Sequence, residues 1–112
     1  MADRANRIYE MTYESIYSLY LQKVERKGRS AAELDQVLSW LTGVEAPAKL
    51  TGTYKELAKN LHINPKAAEI KGVICGVRVE DLEDPVIKFA RQMDKVVDEL
   101  ARGKAVEKVM RS

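Results

Sequence analysis

Residues 72–85, GVICGVRVEDLEDP, decide between an all-α fold and a mixed one. Upstream, Asn64 and Pro65 read as a helix cap followed by a proline at the first helical position, where its missing N–H costs nothing. Ile70, Val73 and Ile74 then recur at helical spacing, and Gly76 falls where a left-handed residue closes a helix. This reading predicts a helix from Pro65 to about Gly76. The competing reading takes 71–80, KGVICGVRVE, as a strand because it is rich in valine and isoleucine. Two glycines inside so short a strand are awkward. The helix is therefore preferred, with a short strand near 72–79 as the alternative.

Working outward, helix punctuation recurs along the chain. Thr12 is placed to cap a helix over 13–27, with Tyr13, Ile16, Tyr17, Tyr20 and Val24 on one face and Gly28 as terminator. Ser30 and Glu33 form a capping box for a second helix through Leu34, Val37, Leu38 and Leu41, ended by Thr42 and Gly43. The segment VEAPAKLTG, residues 44–52, reads as a loop. Thr53 and Glu56 form a second capping box, for the short helix TYKELAKNL. Asp84 and Pro85 repeat the cap-then-proline signal for the clearest helix. Along it Val86, Ala90, Met93, Val97 and Leu100 form an apolar stripe, widened by Ile87, Phe89 and Val96. Glu99 and Arg102 fall on its outer side. Gly103 stops it or marks close packing, and KAVEKVMR adds a last helical turn or two. The expected architecture is all-α: a compact single-domain bundle of about five helices spanning residues 1–112.

Composition sets bounds on function. The chain has 112 residues, 46% hydrophobic and 32% charged, as expected of a globular domain able to bury a core. Its opening residues hold no apolar run of signal-peptide length, no later window approaches a membrane span, and a lone cysteine cannot form an internal disulfide. A cytoplasmic protein with no membrane partner is the expectation. Residues 1–29 carry six basic and four acidic side chains and residues 85–112 carry seven and four, within a net charge of +2. So thin a basic excess argues against a nucleic-acid footprint.

The chemistry-bearing candidates are Cys75, Arg78, Glu80 and Asp81, a possible small-ligand site. A nucleophilic cysteine needs a cation, a histidine or a helix N-terminus nearby. On the helical reading Cys75 lies instead at a C-terminal end, far from the lone His62, so an inert thiol is favoured. The acidic run lacks the alternate ligand spacing and central glycine of a calcium loop. Asp84 as a helix cap, Glu83 and Asp81 near the positive helix end, and Arg78 paired with one of them account for it more simply. Tyr13, Tyr17 and Tyr20 beside Lys23, Arg26, Lys27 and Arg29 could stack bases, but core rings with hydroxyls at the rim are favoured. His62 reads as a loop residue and Trp40 as a core or interface aromatic. No residue is assigned as catalytic, cofactor-binding or metal-binding.

Several longer stretches carry a resemblance: RIYEMTYESIYSLYLQKVERKGR, SWLTG, INP, GVICGVRVEDLEDP and DKVVDELARGKAVEKVMR. Together they resemble the bacterial family called domain of unknown function 2200, most specifically in ICGVRVE, DELA-x-GK and EKVMR. The part between Gly43 and Asn64 departs most, reading as shorter and without a phenylalanine-rich segment. The resemblance implies one compact domain and brings no activity, cofactor or site residue.

Three function classes follow. The first is a small interaction or oligomerising protein, expected to form a homodimer through the Val86 to Leu100 helix or the turns near Val106 and Met110. The second is a nucleic-acid binder using its basic first and last helices. The third is a small-ligand or metal-dependent enzyme around residues 75–84, the less favoured reading.

Overall fold

The computed structural model describes residues 8–74 and 76–111. Among the described residues, 8–10 are helical, and the helices that follow are α1 (Tyr13–Arg26), α2 (Ala31–Thr42), α3 (Tyr54–Asn60), α4 (Pro85–Ala101) and α5 (Val106–Val109). Short 3₁₀ turns cover Pro47–Lys49, Pro65–Glu69 and Val79–Asp81, and a two-stranded hairpin pairs β1 (Val73–Ile74) with β2 (Val77–Arg78). Helix α4 is the hub, packing against α1, α2, α3, α5 and β1. Its stripe explains why: Phe89, Ala90, Met93, Val96, Val97 and Leu100 are all buried. The opposite wall comes from Tyr13, Ile16, Tyr20 and Val24 of α1 and Leu34, Val37, Leu38 and Leu41 of α2. Tyr54 of α3 meets Phe89 edge to face, with ring centres 5.9 Å apart.

Local signals account for most element ends. Both capping boxes form: Ser30 with Glu33 on α2, and Thr53 with Glu56 on α3. Asp84 accepts the N–H groups of Val86 and Ile87, with Pro85 at the first position of α4. Gly28 and Gly103 sit at positive φ after α1 and α4, closing both with paired backbone hydrogen bonds. Thr12 departs from expectation. Its side chain accepts no helical N–H; its hydroxyl bonds to that of Ser15 instead. What fixes this helix start is distant, an antiparallel bridge between Thr12 and Thr53 that sets the starts of α1 and α3 side by side.

The expected helix from Pro65 to Gly76 is the main correction. Helical turns end at Glu69, and residues 73–78 form the hairpin, the strand-containing alternative. Gly72 and Gly76 have φ of +111° and +78°, which break a helix. The β-branched residues between and after them then pair in the register Val73↔Arg78 and Ile74↔Val77. Gly76 has the positive φ expected of it, but as part of a hairpin turn. Ile70 and Val73, placed on one helical face by their spacing, separate into a buried and an exposed side chain. The loop 44–52 holds a 3₁₀ turn with a buried Pro47.

Two glycines give a graded test of backbone geometry. A Cβ on Gly76 would meet nothing within 4 Å, so Gly76→Ala should cost only the positive-φ strain, about 1 kcal/mol. A Cβ on Gly43 (φ +74°) would lie 2.8 Å from the His62 carbonyl oxygen. Gly43→Ala should therefore cost about 2–3 kcal/mol, strain and clash together. Urea midpoints that rank the two variants in the other order would contradict this geometry.

Candidate functional site

Two of the residues nominated by sequence, Arg78 and Glu80, lie at the base of the hairpin. The exposed Arg78 pairs with Glu80 at 3.6 Å, not with Asp81 or Glu83. Glu80 Oε1 accepts the Gly72 N–H at 2.9 Å, while the Val79 N–H donates to the Gly72 carbonyl at 2.9 Å. That Gly72 N–H holds the Glu80 carboxyl below the usual range. Arg78 and Glu80 are thus brought together, Asp81 is exposed in the following turn, and Cys75 lies outside the described residues. Among the described residues, no three His, Cys, Asp or Glu side chains converge as metal ligands.

The tyrosines build a second assembly. Tyr17 donates to Asp35 of α2 at 2.5 Å, Tyr20 donates to Asp94 of α4 at 2.5 Å, and Tyr9 donates to Asp84. Arg91 closes on the far oxygen of Asp94 at 2.9 Å, and the Tyr20 hydroxyl also interacts with that of Tyr54. Tyr17 and Tyr20 thus fasten α1 to α2 and α4, and Tyr9 ties the residues just before α1 to the cap of α4. Burial, then the Asp35 carboxylate, raises the Tyr17 phenol, burial, then Tyr54 and the Asp94 carboxylate, raises Tyr20, and the Asp84 hydrogen bond raises Tyr9. Tyr13 is fully buried, its phenol raised chiefly by desolvation, and its hydroxyl has no hydrogen-bond partner.

The most concentrated charge lies where sequence reading placed only solvated surface. Glu99 is not on an outer face: its side chain is 11% exposed and is the centre of a cluster. Arg111 grips both its oxygens, at 2.7 and 3.1 Å, from a left-handed backbone (φ 57°) rare outside glycine and asparagine. Lys104 Nζ stands 3.7 Å from one Glu99 oxygen and Lys95 Nζ 4.0 Å from the other. One residue back, Asp98 pairs with Arg102 at 2.9 Å and with Lys23 of α1 at 3.3 Å. Lys95 also lies across the hairpin, since a Cβ on Gly72 would come 3.1 Å from its Cε. Arg102 is on the outer side as expected, 79% exposed. An open recess of about 520 Å³ elsewhere is lined by Glu10, Thr53, Lys55, Glu56, Lys59 and Asn60, with Glu56 engaged in its capping box.

The surface nominated for self-association is also used internally. Val97, Leu100 and Val109 are buried in the core, and Val106 and Met110 pack against it. Among the described residues, the large hydrophobic side chains left exposed are instead Leu19 and Val73. Among the described residues, no helix is long and apolar enough to cross a membrane.

With this geometry the comparisons agree. The chain belongs to the family described as "Uncharacterized protein conserved in bacteria (DUF2200)", which matches residues 7–111. It is similar to the uncharacterized protein SP1917, whose crystal structure shares 38% sequence identity and superposes with a TM-score of 0.83, covering 94% of this chain and 91% of that one. No curated protein matches it. At that identity and coverage the helical bundle is shared, and neither likeness brings an activity.

Proposed function

We propose that this member of the DUF2200 family is a small cytoplasmic interaction protein that pairs with a second copy of itself. The observation that carries the reading is the exposure of Leu19 and Val73, 58% and 52%, at the two ends of one connected strip. Leu19 lies one turn from Lys23 on α1, and Lys23 reaches Asp98 on α4. Lys95, a turn away from Asp98, crosses Gly72, and Val73 follows. Cations and carboxylates are interspersed along the way: Lys23, Asp98, Arg102, Lys95 and Glu99. A two-fold interface must be complementary to itself. A strip bearing both signs meets that condition, and Leu19 and Val73 add exposed apolar contacts at its ends. A lone cysteine fits a reducing compartment.

Light scattering over roughly a hundredfold dilution tests this. The wild-type chain should move from a dimer mass toward 12.7 kDa on dilution, and Leu19→Asp with Val73→Asp should be monomeric throughout. A wild-type mass of 12.7 kDa at every concentration would refute the reading.

A further inference from the structure

The cluster around Glu99 holds more positive charge than its carboxylates use. Five cations (Lys23, Lys95, Arg102, Lys104, Arg111) face two carboxylates, Asp98 and Glu99. Three of the five are spoken for. Lys23 and Arg102 engage Asp98, and Arg111 satisfies Glu99 through a bidentate pair while also donating to the Val109 carbonyl. The other two, Lys95 and Lys104, stand 4.0 and 3.7 Å from Glu99, beyond hydrogen-bonding distance. Each ammonium carries three donors, and among the described residues neither makes a hydrogen bond.

Their placement is built rather than incidental. The side chain of Lys95 is largely covered because its stem passes over Gly72, where the absence of a Cβ makes room for it. Lys104 follows the turn at Gly103, whose positive φ ends α4 and sends the chain back along it, with the Lys104 N–H bonded to the Glu99 carbonyl. Gly72 at the base of the hairpin, the end of α4 and Arg111 thus converge to hold two ammonium groups about one carboxylate that Arg111 has already neutralised. Dianionic oxygen ligands are recognised by such clusters through charge-assisted hydrogen bonds.

We propose that Lys95 and Lys104, oriented by Glu99, form a binding site for a phosphate-class oxyanion, either free phosphate or a phosphomonoester. The proposal does not rest on self-association, but Lys95 and Glu99 lie on the strip read above as the pairing surface, so the titration is run on the Leu19→Asp, Val73→Asp chain as well as on the wild type. Amide resonances of the labelled full chain would be followed while sodium phosphate, and separately glycerol phosphate, is added at constant ionic strength against a chloride control. Saturable shifts should concentrate at Gly72, at 95–104 and at Arg111. Saturation by glycerol phosphate at lower concentration would identify a monoester, and saturation by phosphate at lower concentration a free ion. Lys95→Gln with Lys104→Gln should weaken the response about tenfold or more. Should the double variant not fold, Lys104→Gln alone, at the more exposed position, reads the same effect. Shifts that track chloride equally, or that are unchanged in the lysine variants, would overturn the site.

Discussion

Glu99→Ala should cost about 3 kcal/mol and free the last turn of the chain from α4. The side chains of Glu99 and Arg111 are only 11% and 14% exposed, so removing the carboxylate strands a guanidinium in a poorly hydrated place. Lys95 and Lys104 add like charge around it. The figure is taken from the low end for a broken buried pair because some solvent reaches both partners. Arg111 also loses what holds its backbone at φ 57°, so residues 106–111 should exchange amide hydrogen much faster in the variant. Arg102→Ala is the control: its partner Asp98 is the neighbour of Glu99 in sequence, but Arg102 is 79% exposed, and the change should stay within about 0.5 kcal/mol. Equal destabilisation of the two variants would show that Glu99 is no more than a surface carboxylate.

The contrast between Glu99 and the helix caps shows what a sequence can disclose. Ser30 with Glu33, Thr53 with Glu56, and Asp84 with Val86 and Ile87 are interactions over two or three residues, so residue type and spacing suffice to read them. The tyrosine face of α1 was legible too, because helical periodicity assigns a face whichever partner covers it. Carboxylates 18 and 74 residues away, meeting Tyr17 and Tyr20, were not. Glu99 was misplaced for a related reason. Its position lies off the apolar stripe of α4, which reads as solvent unless another segment crosses there, and Arg111 crosses from 12 residues on. A signal was present: Glu99, Lys104 and Arg111 belong to DELARGK and EKVMR, two of the stretches most specific to the family resemblance, and charged residues in such stretches invite pairing. Residues 72–79 failed differently. Val73 and Ile74 suit either element, and only the backbone angles of Gly72 and Gly76 exclude the helix. Thr12 failed because its helix start is fixed by Thr53, a partner outside any local window.

The alkaline limit of the fold should be set by its tyrosines. All five have phenols raised above the ordinary value of about 10: Tyr13, Tyr17, Tyr20 and Tyr54 chiefly by burial, Tyr9 by its bond to Asp84. Below that value both folded and unfolded chains keep their phenol protons, and the contribution of these groups to stability is complete. Above it the unfolded chain ionises first, so stability falls steadily as pH rises toward the folded-state values. Phenolate absorbance from Tyr13, Tyr17, Tyr20 and Tyr54 should therefore show almost no independent titration near pH 10, followed by one steep step that coincides with loss of helical circular dichroism. Single substitutions divide the group further. Tyr20→Phe removes a hydrogen bond to a charged carboxylate and should cost roughly 1.5–3 kcal/mol at neutral pH. Tyr13→Phe removes a buried hydroxyl without a partner, so it should be neutral or stabilising by about 1 kcal/mol, because desolvating that oxygen gains nothing in return. Smooth ionisation of three or more tyrosines near pH 10 in a chain that remains helical would show that the ring face of α1 is open to water, and the packing of α1 on α4 would then be wrong.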